Sequence, residues 1–492
     1  MINLTKLNLR FLLVLKLLLS ILFFITSLTL SIPLIYSIFI KDGLFLYYIE
    51  TIGFIGILYL SVFLLTKFLK VEDKNFPNNR EALLVAVSVW FLLPLVIANV
   101  YVSTGYIKSI IDGYFEAVSG FTTTGASILT DIEVLPKSLL LLRNLTNWIG
   151  GLGFAIFTIS FTSISPLVGK SLIKFEAPKV IEESIEIKIK KITIIIFTVY
   201  LALSILETIL LLFTGLDIYN AINYTFATVA TGGFAPKNES VGAFNSFSVE
   251  LIISVFMILG AINLQLYYIA YREKSLLKIF KDEEVKIYLL IIGISIVISS
   301  FILFKNGYYS SIYESIRYSI FQIVSASTTT GFSSTDYSNW HPFVLSLMML
   351  LALIGAVSGS TGGGIKIVRL IFLFKSVIIE LKKLAHPKAI YRFKIRDKVI
   401  DSETANIMWV FLSLYILTFI FVGLVLVFDG YDIITSFSSS VACITSLGPG
   451  LGDVGPTSNF SQFSQLEKLI LAFEMILGRL EIIPVIGLTF LR

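Results

Sequence analysis

Four times along this chain a short, half-apolar segment runs into threonine or serine and then glycine, each time between two long apolar stretches. The four are Ser119-Gly120-Phe121-Thr122-Thr123-Thr124-Gly125, Ala230-Thr231-Gly232-Gly233-Phe234, Ser327-Thr328-Thr329-Thr330-Gly331-Phe332 and Ile444-Thr445-Ser446-Leu447-Gly448-Pro449-Gly450. Aligned on Gly125, Gly232, Gly331 and Gly448, they recur roughly every 100 to 120 residues, which is too long for a solenoid and enough for two membrane helices with a loop between them. The segments upstream (110–121, 218–228, 311–325 and 431–443) fall short of the ~20 apolar residues a bilayer crossing takes. Each reads as a half-helix that enters the membrane and returns as irregular backbone.

Such backbone is tolerated at membrane depth only where it is buried in protein or lines water, because lipid cannot satisfy its N–H and C=O groups. Four loops of this kind want one aqueous axis. There their carbonyl oxygens can form rings that replace the hydration shell of a cation, with the negative C-terminal ends of the half-helices aimed the same way. Glycine allows successive carbonyls to face one side, and the threonines add hydroxyl oxygens without fixed charge. A single Thr-Thr-Gly is an ordinary turn; four in one setting make a filter. The candidate ion ligands are Thr123, Thr124 and Gly125, then Thr231 and Gly232, then Thr329, Thr330 and Gly331, then Leu447 and Gly448.

With 56% apolar and 14% charged residues and a mean hydropathy of +0.89, the chain belongs among polytopic membrane proteins. Spans are expected at 11–40, 46–69, 82–103, 138–162, 192–214, 248–270, 287–304, 343–380, 405–428 and 466–490. The first is too long for a signal peptide and is read as retained. With the N-terminus in the cytoplasm, the inner segments 1–16, 67–80, 170–191, 272–286 and 366–398, together with Arg479 and Arg492, hold all but eight of the 38 Lys and Arg residues. The four loops then face outward, with Asp131, Glu133, Asp217, Glu239, Asp336, Asp429 and Asp453 around them, either concentrating cations or forming a solvated rim. One cysteine, Cys443, and two distant histidines, His341 and His386, leave little for a disulfide, a zinc or haem site, or a membrane enzyme.

The 343–380 stretch exceeds one crossing, and its middle (Gly355, Ser358, Gly359, Ser360, Thr361, Gly362, Gly363, Gly364, Lys366) will not sustain a regular helix. It reads as a broken span whose centre lies just inside the third loop and can act as a gate; the alternative is that its glycines only allow close helix packing. Arg479 lies inside the last span, with Glu474 and Glu481 as possible partners, and is either a barrier to cations under the filter or half of a structural ion pair. Glu116 and Glu207 also sit in apolar surroundings, Glu116 as a hydrogen-bonded support for the filter. Trp148, Trp340 and Trp409 are candidate interfacial anchors.

The four non-identical loops, the Gly359-Ser360-Thr361-Gly362-Gly363-Gly364-Ile365-Lys366 run and Gly478-Arg479-Leu480-Glu481-Ile482 together resemble the TrkH/KtrB superfamily of potassium uptake proteins. The resemblance covers essentially the whole chain, and the two extra N-terminal spans place it nearer the TrkH branch. It implies a potassium pathway through each subunit, with filter glycines at Gly125, Gly232, Gly331 and Gly448. It implies a gating loop over Gly355 to Gly364 and a constriction at Arg479. It also implies a homodimer on a cytosolic ring of TrkA-type nucleotide-binding regulatory subunits, a domain this chain lacks. Relatives with serine at the first filter position tend to favour sodium; glycine here points to potassium. Leu447 and Pro449 around the fourth glycine and the single threonine of the second loop depart from the pattern.

The expected fold is therefore an all-α integral membrane protein of ten transmembrane helices, with four quasi-symmetric span, pore loop, span repeats around a central pore and two extra N-terminal helices. The divisions are 1–80 for the extra helices, then 81–190, 191–286, 287–400 and 401–492 for the repeats. The expected function is potassium uptake across the cytoplasmic membrane, with potassium as cargo, no organic cofactor on this chain, lipid as surroundings and no nucleic-acid partner. The competing readings are a sodium or poorly selective path, ion-coupled potassium symport, a membrane enzyme, or a non-conducting scaffold.

Overall fold

The computed structural model describes residues 2–71, 76–164, 185–387, 394–395 and 398–490. Of the basic segments used for orientation, 170–191 lies mostly outside these residues, as do parts of 67–80 and 366–398 and Arg492. The described chain is helical apart from a two-residue antiparallel pair, Lys394–Ile395 with Lys398–Val399.

Among the described residues seven helices are long and apolar enough to cross a membrane: Leu9–Ile40, Phe45–Phe68, Arg80–Ser103, Lys137–Phe157, Lys191–Phe213, Glu283–Lys305 and Ser402–Phe428. A bent pair, Phe247–Gly260 and Leu264–Arg272 at 87°, makes an eighth if it is counted as one span. The exteriors of these helices carry large apolar side chains such as Phe39, Phe213 and Phe428, as a lipid-facing surface requires. The helix Phe45–Phe68 buries only Tyr48, Thr51, Ile55 and Thr66 and packs mainly on the first helix, so it is peripheral.

Three expected spans are broken. The 343–380 stretch divides, as read, into Pro342–Ile354 and Ile367–Ala385 around a non-helical 355–366. The 248–270 and 466–490 stretches, read as continuous, also break. The first bends where Asn263 accepts from the Gln265 N–H and starts a new helix. The second ends at Arg479 and resumes at Ile483, with Glu481 and Ile482 at φ 60° and 55°. Composition could not forecast these breaks, because tertiary partners hold them.

The four half-helices are Ile110–Phe121, Ile218–Val229, Ile312–Ser327 and Ile433–Thr445. Each starts at a side-chain cap: Ser109, Asp217, Ser311 and Asp432 accept from the N–H groups of Ile111, Asn220, Glu314 and Thr435. These caps fix where each half-helix begins, and hence how far it reaches before its loop. The second half-helix packs on Ile185–Phe213 and Phe247–Gly260, and the fourth on Ser402–Phe428 and Gln465–Arg479, so each is wedged between longer helices.

Candidate functional site

At the end of each half-helix the backbone turns left-handed, takes one ordinary residue, and turns left-handed again at glycine. The pairs are Thr123 (φ 53°) with Gly125 (83°), Thr231 (52°) with Gly233 (72°), Thr329 (56°) with Gly331 (82°), and Ser446 (59°) with Gly448 (95°). The equivalent glycines are therefore 125, 233, 331 and 448. The alignment on Gly232 was one residue early: Gly232 occupies the place of Thr124, Thr330 and Leu447.

These residues close into a ring. A Cβ added to Gly125 would lie 2.5 Å from the Gly232 carbonyl oxygen, on Gly233 2.0 Å from that of Thr330, on Gly331 1.9 Å from that of Leu447, and on Gly448 2.5 Å from that of Thr124. Each glycine thus abuts the preceding residue of the next loop, and the fourth returns to the first. A side chain fits at none of the four, for reasons of both φ and space. Above the ring a cavity of about 130 Å³ touches all four glycines as well as Asn238 and Asn459. No carboxylate is among its described lining residues. The outer acids are engaged elsewhere: Glu133 with Lys237 at 2.9 Å and Asp131 with Asn238 at 2.8 Å. The lysine beside it holds the Glu133 carboxyl below its ordinary range.

Two threonine hydroxyls are bonded back to their own half-helix ends. Thr124 Oγ1 bonds Thr122 Oγ1, and Thr330 Oγ1 bonds Thr328 Oγ1, both at 2.7 Å. What these positions share with Gly232 and Leu447 is a carbonyl, which explains why leucine is accepted in the fourth loop.

The ring is braced from behind. Glu116, fully buried, accepts from Arg143 Nε at 2.5 Å, from Ser127 Oγ at 3.1 Å and from the Ile128 N–H at 3.0 Å. Arg143 also donates to the Ala235 carbonyl at 3.0 Å and lies 3.6 Å over the Phe234 ring. Asn147 donates to the Gly120 carbonyl at 2.8 Å and accepts from the Phe234 N–H at 3.2 Å. One pair and one amide therefore tie the first loop to the second. Sequence reading passed over Arg143 and Asn147, although a charge inside an apolar span was the signal that flagged Arg479.

Beneath the ring lies the 355–366 loop. Gly363 N–H donates to Thr329 Oγ1 at 2.7 Å, and Thr361 Oγ1 donates to the Val229 and Gly260 carbonyls at 3.0 Å each. A Cβ on Gly363 would lie 2.0 Å from the Thr445 carbonyl, so the loop is seated against the ends of three half-helices. Gly359 meets the Asn263 bend, where its carbonyl accepts from the Leu264 N–H at 3.2 Å. Lys366 Nζ donates to the Gly362 carbonyl, and its own backbone stands at φ 81°, ψ 138°, a region costly for any residue but glycine. Gly355, Ser358, Ser360 and Gly364 complete the loop; the Ser358 N–H donates to Glu284 Oε2 at 3.0 Å and Ser360 Oγ to the Val357 carbonyl at 2.5 Å.

Arg479 is buried beside this loop. Its Nη1 donates to the Thr361 carbonyl at 2.8 Å and its guanidinium lies 4.1 Å over Phe154. Neither suggested acid is its partner. Glu474 accepts from Ser440 Oγ at 2.6 Å, and Glu481 pairs with Arg369 at 2.6 Å. Trp148 is no interfacial anchor either: its Nε1 donates to Ser204 and its ring packs on Tyr200 and Phe226.

The sequence matches the family model of TrkH, described as a cation transport protein, over residues 52–491. The chain belongs to this family. Among its relatives, the Trk system potassium uptake protein TrkH of Escherichia coli K12 is 33% identical over 426 residues, 86% of this chain and 88% of that protein. The protein of the same name from Halomonas elongata is 31% identical over 96% of both chains. The crystal structure of the potassium transporter TrkH from Vibrio parahaemolyticus superposes with a TM-score of 0.86 at 28% identity, over 98% of this chain and 100% of that one. Family membership makes this a multi-span membrane transporter of the potassium uptake family.

Proposed function

We propose that this chain passes potassium ions inward across the cytoplasmic membrane through the ring of four loops. The observation that carries the reading is the cyclic contact of Gly125, Gly233, Gly331 and Gly448 with the carbonyls of Gly232, Thr330, Leu447 and Thr124. A ring of main-chain carbonyl groups contributed by four loops around one axis suits a dehydrated monovalent cation, and glycine in all four places keeps the ring open. Repeats at 81–190, 191–286, 287–400 and 401–492, each a span, a half-helix, a loop and a second span, surround the path. The helices within 1–80 lie outside it, which makes ten spans when the broken ones count once. The N-terminus is cytoplasmic.

The 355–366 loop is the gate, and Arg479 holds it while placing a cation next to the path. Strain at Lys366 stores part of what opening releases. The relatives' description as a Trk system supports a partner, so the chain works as a homodimer on cytosolic TrkA-type nucleotide-binding subunits. The test is potassium uptake into potassium-free proteoliposomes with sodium as competitor, for the unaltered chain and for Gly125→Ser. Uptake that prefers potassium and loses the preference in the variant supports the reading. Equal sodium flux in the unaltered chain would replace potassium with an unselective cation path.

A further inference from the structure

The register of the loops brings four hydroxyl residues together at the inner end of the ring: Thr123, Thr231, Thr329 and Ser446, each left-handed and each buried. Their hydroxyls are not alike. Thr123 Oγ1 and Ser446 Oγ are buried without a hydrogen-bond partner, an arrangement that is costly in a protein interior unless a ligand supplies the partner. Thr231 Oγ1 lies 2.6 Å from the Ala230 carbonyl and 3.4 Å from Thr361 Oγ1. Thr329 Oγ1 accepts from the Gly363 N–H at 2.7 Å. The glycine-rich loop thus bonds one of the four hydroxyls and touches a second, while the other two stand free.

We infer that Thr329 is where the loop and a monovalent cation compete for the same oxygen. Resting on the proposed transport function, this inference adds how the ion and the loop communicate. A cation among the four hydroxyls draws on oxygen lone pairs, and the Gly363 N–H presents its positive end to one of those oxygens. Either one weakens the other. By linkage, the seated loop lowers the affinity of the innermost site by the factor with which the ion unseats the loop. Thr329 is a positioning residue for the loop as well as an ion ligand. Its counterparts Thr123 and Ser446, having no loop partner, are ligands only.

The experiment is hydrogen exchange of the peptide covering 355–366 in the full chain in membranes, with potassium or choline as the only monovalent cation, beside potassium uptake by the same preparations. In the unaltered chain, exchange should be roughly five-fold faster in potassium, the factor by which one neutral hydrogen bond shifts a closed–open equilibrium. Thr329→Val, which keeps the shape and removes the hydroxyl, should exchange fast in both salts; Thr329→Ser, which keeps the hydroxyl, should restore the difference. Identical exchange in potassium and choline, with selective uptake intact, overturns the competition alone. A loop that answers to potassium in a chain carrying no potassium flux keeps the competition and removes the transport function.

Discussion

Gly233→Ala separates the two possible registers of the second loop. In the structure Gly233 has φ 72°, and a Cβ there would lie 2.0 Å from the Thr330 carbonyl oxygen and 3.1 Å from its carbon. The left-handed backbone costs alanine about 1–2 kcal/mol. The overlap is worse: against an ordinary contact of about 3.5 Å, the Thr330 carbonyl must retreat by about 1.5 Å. That displacement takes one oxygen out of the ring, and the nearest atoms around Gly233 are all main chain, so no side chain can swing away to absorb it. Gly232→Ala differs in kind. Its backbone is not left-handed, and its Cβ would meet the Asn147 side chain at 2.5 Å, a group with rotatable bonds. Gly153→Ala meets nothing within 4 Å and serves as the control.

The assay is competitive rubidium and sodium uptake into proteoliposomes, with the thermal midpoint of each purified variant measured in detergent. Gly233→Ala should lose about ten-fold or more in potassium preference, equivalent to about 1.4 kcal/mol. Gly232→Ala should lower the thermal midpoint yet keep more of the preference, because it disturbs the Asn147 brace and leaves the oxygen ring in place. Gly153→Ala should match the unaltered chain. If Gly233→Ala kept its preference while Gly232→Ala abolished it, the register read from the backbone would be wrong and the sequence alignment on Gly232 right.

Glu116→Gln should destabilise the chain by about 3 kcal/mol, since it leaves the buried Arg143 without its counter-charge; Glu116→Gln with Arg143→Met should lose less than the sum of the two, read as thermal midpoints. Thr124→Val should cost about 1–2 kcal/mol through the lost bond to Thr122 and leave ion preference unchanged, because that hydroxyl faces its own half-helix; a lost preference in competitive uptake would refute this. Arg479→Gln removes the charge and the bond to the Thr361 carbonyl, and should raise potassium flux roughly ten-fold in proteoliposomes without any cytosolic partner. Glu133 is held below its ordinary range by Lys237, so its contribution is present above the unfolded carboxyl range and fades as pH falls through the lowered one. With the two side chains 43% and 38% exposed, that contribution is under ~1 kcal/mol, and Glu133→Gln should leave the thermal midpoint unchanged from pH 5 to 8.

What the sequence made legible is what depends on composition and local geometry. The half-helices are short because polar caps such as Asp217 and Asp432 start them in the middle of apolar sequence, and the 343–380 span breaks because its own glycines break it. The second loop's register was ambiguous because Thr231-Gly232-Gly233 offers two glycines. Counting from the caps favours Gly233, since Asp217 to Gly233 is the same distance as Ser109 to Gly125 and Asp432 to Gly448; the third half-helix is a turn longer between Ser311 and Gly331. The breaks at 261–263 and 480–482 contain no proline or glycine; the Asn263 cap starts the helix after the first, and bonds from the 355–366 loop meet the chain at both. The direction of the Thr124 and Thr330 hydroxyls, and the partner of Glu481, likewise follow from tertiary placement rather than residue type.

Those two breaks and the glycine-rich loop account for one another. Irregular backbone inside a membrane needs polar partners, and the loop exchanges such partners with each of the two breaks. The Val357 and Thr361 N–H groups donate to the Ala261 and Gly260 carbonyls at 3.1 and 3.2 Å, and the Leu264 N–H returns a bond to the Gly359 carbonyl. On the other side Arg479 reaches the Thr361 carbonyl, and Glu481, at the break, takes Arg369 from the helix that follows the loop. The loop therefore cannot leave its seat without stranding groups at 260–264 and 479–481 as well as its own. Each stranded group costs about 1–3 kcal/mol unless water replaces the partner. Displacement of the loop and wetting of the space beneath the ring must then occur together. A dry, displaced loop would carry that cost at every stranded group.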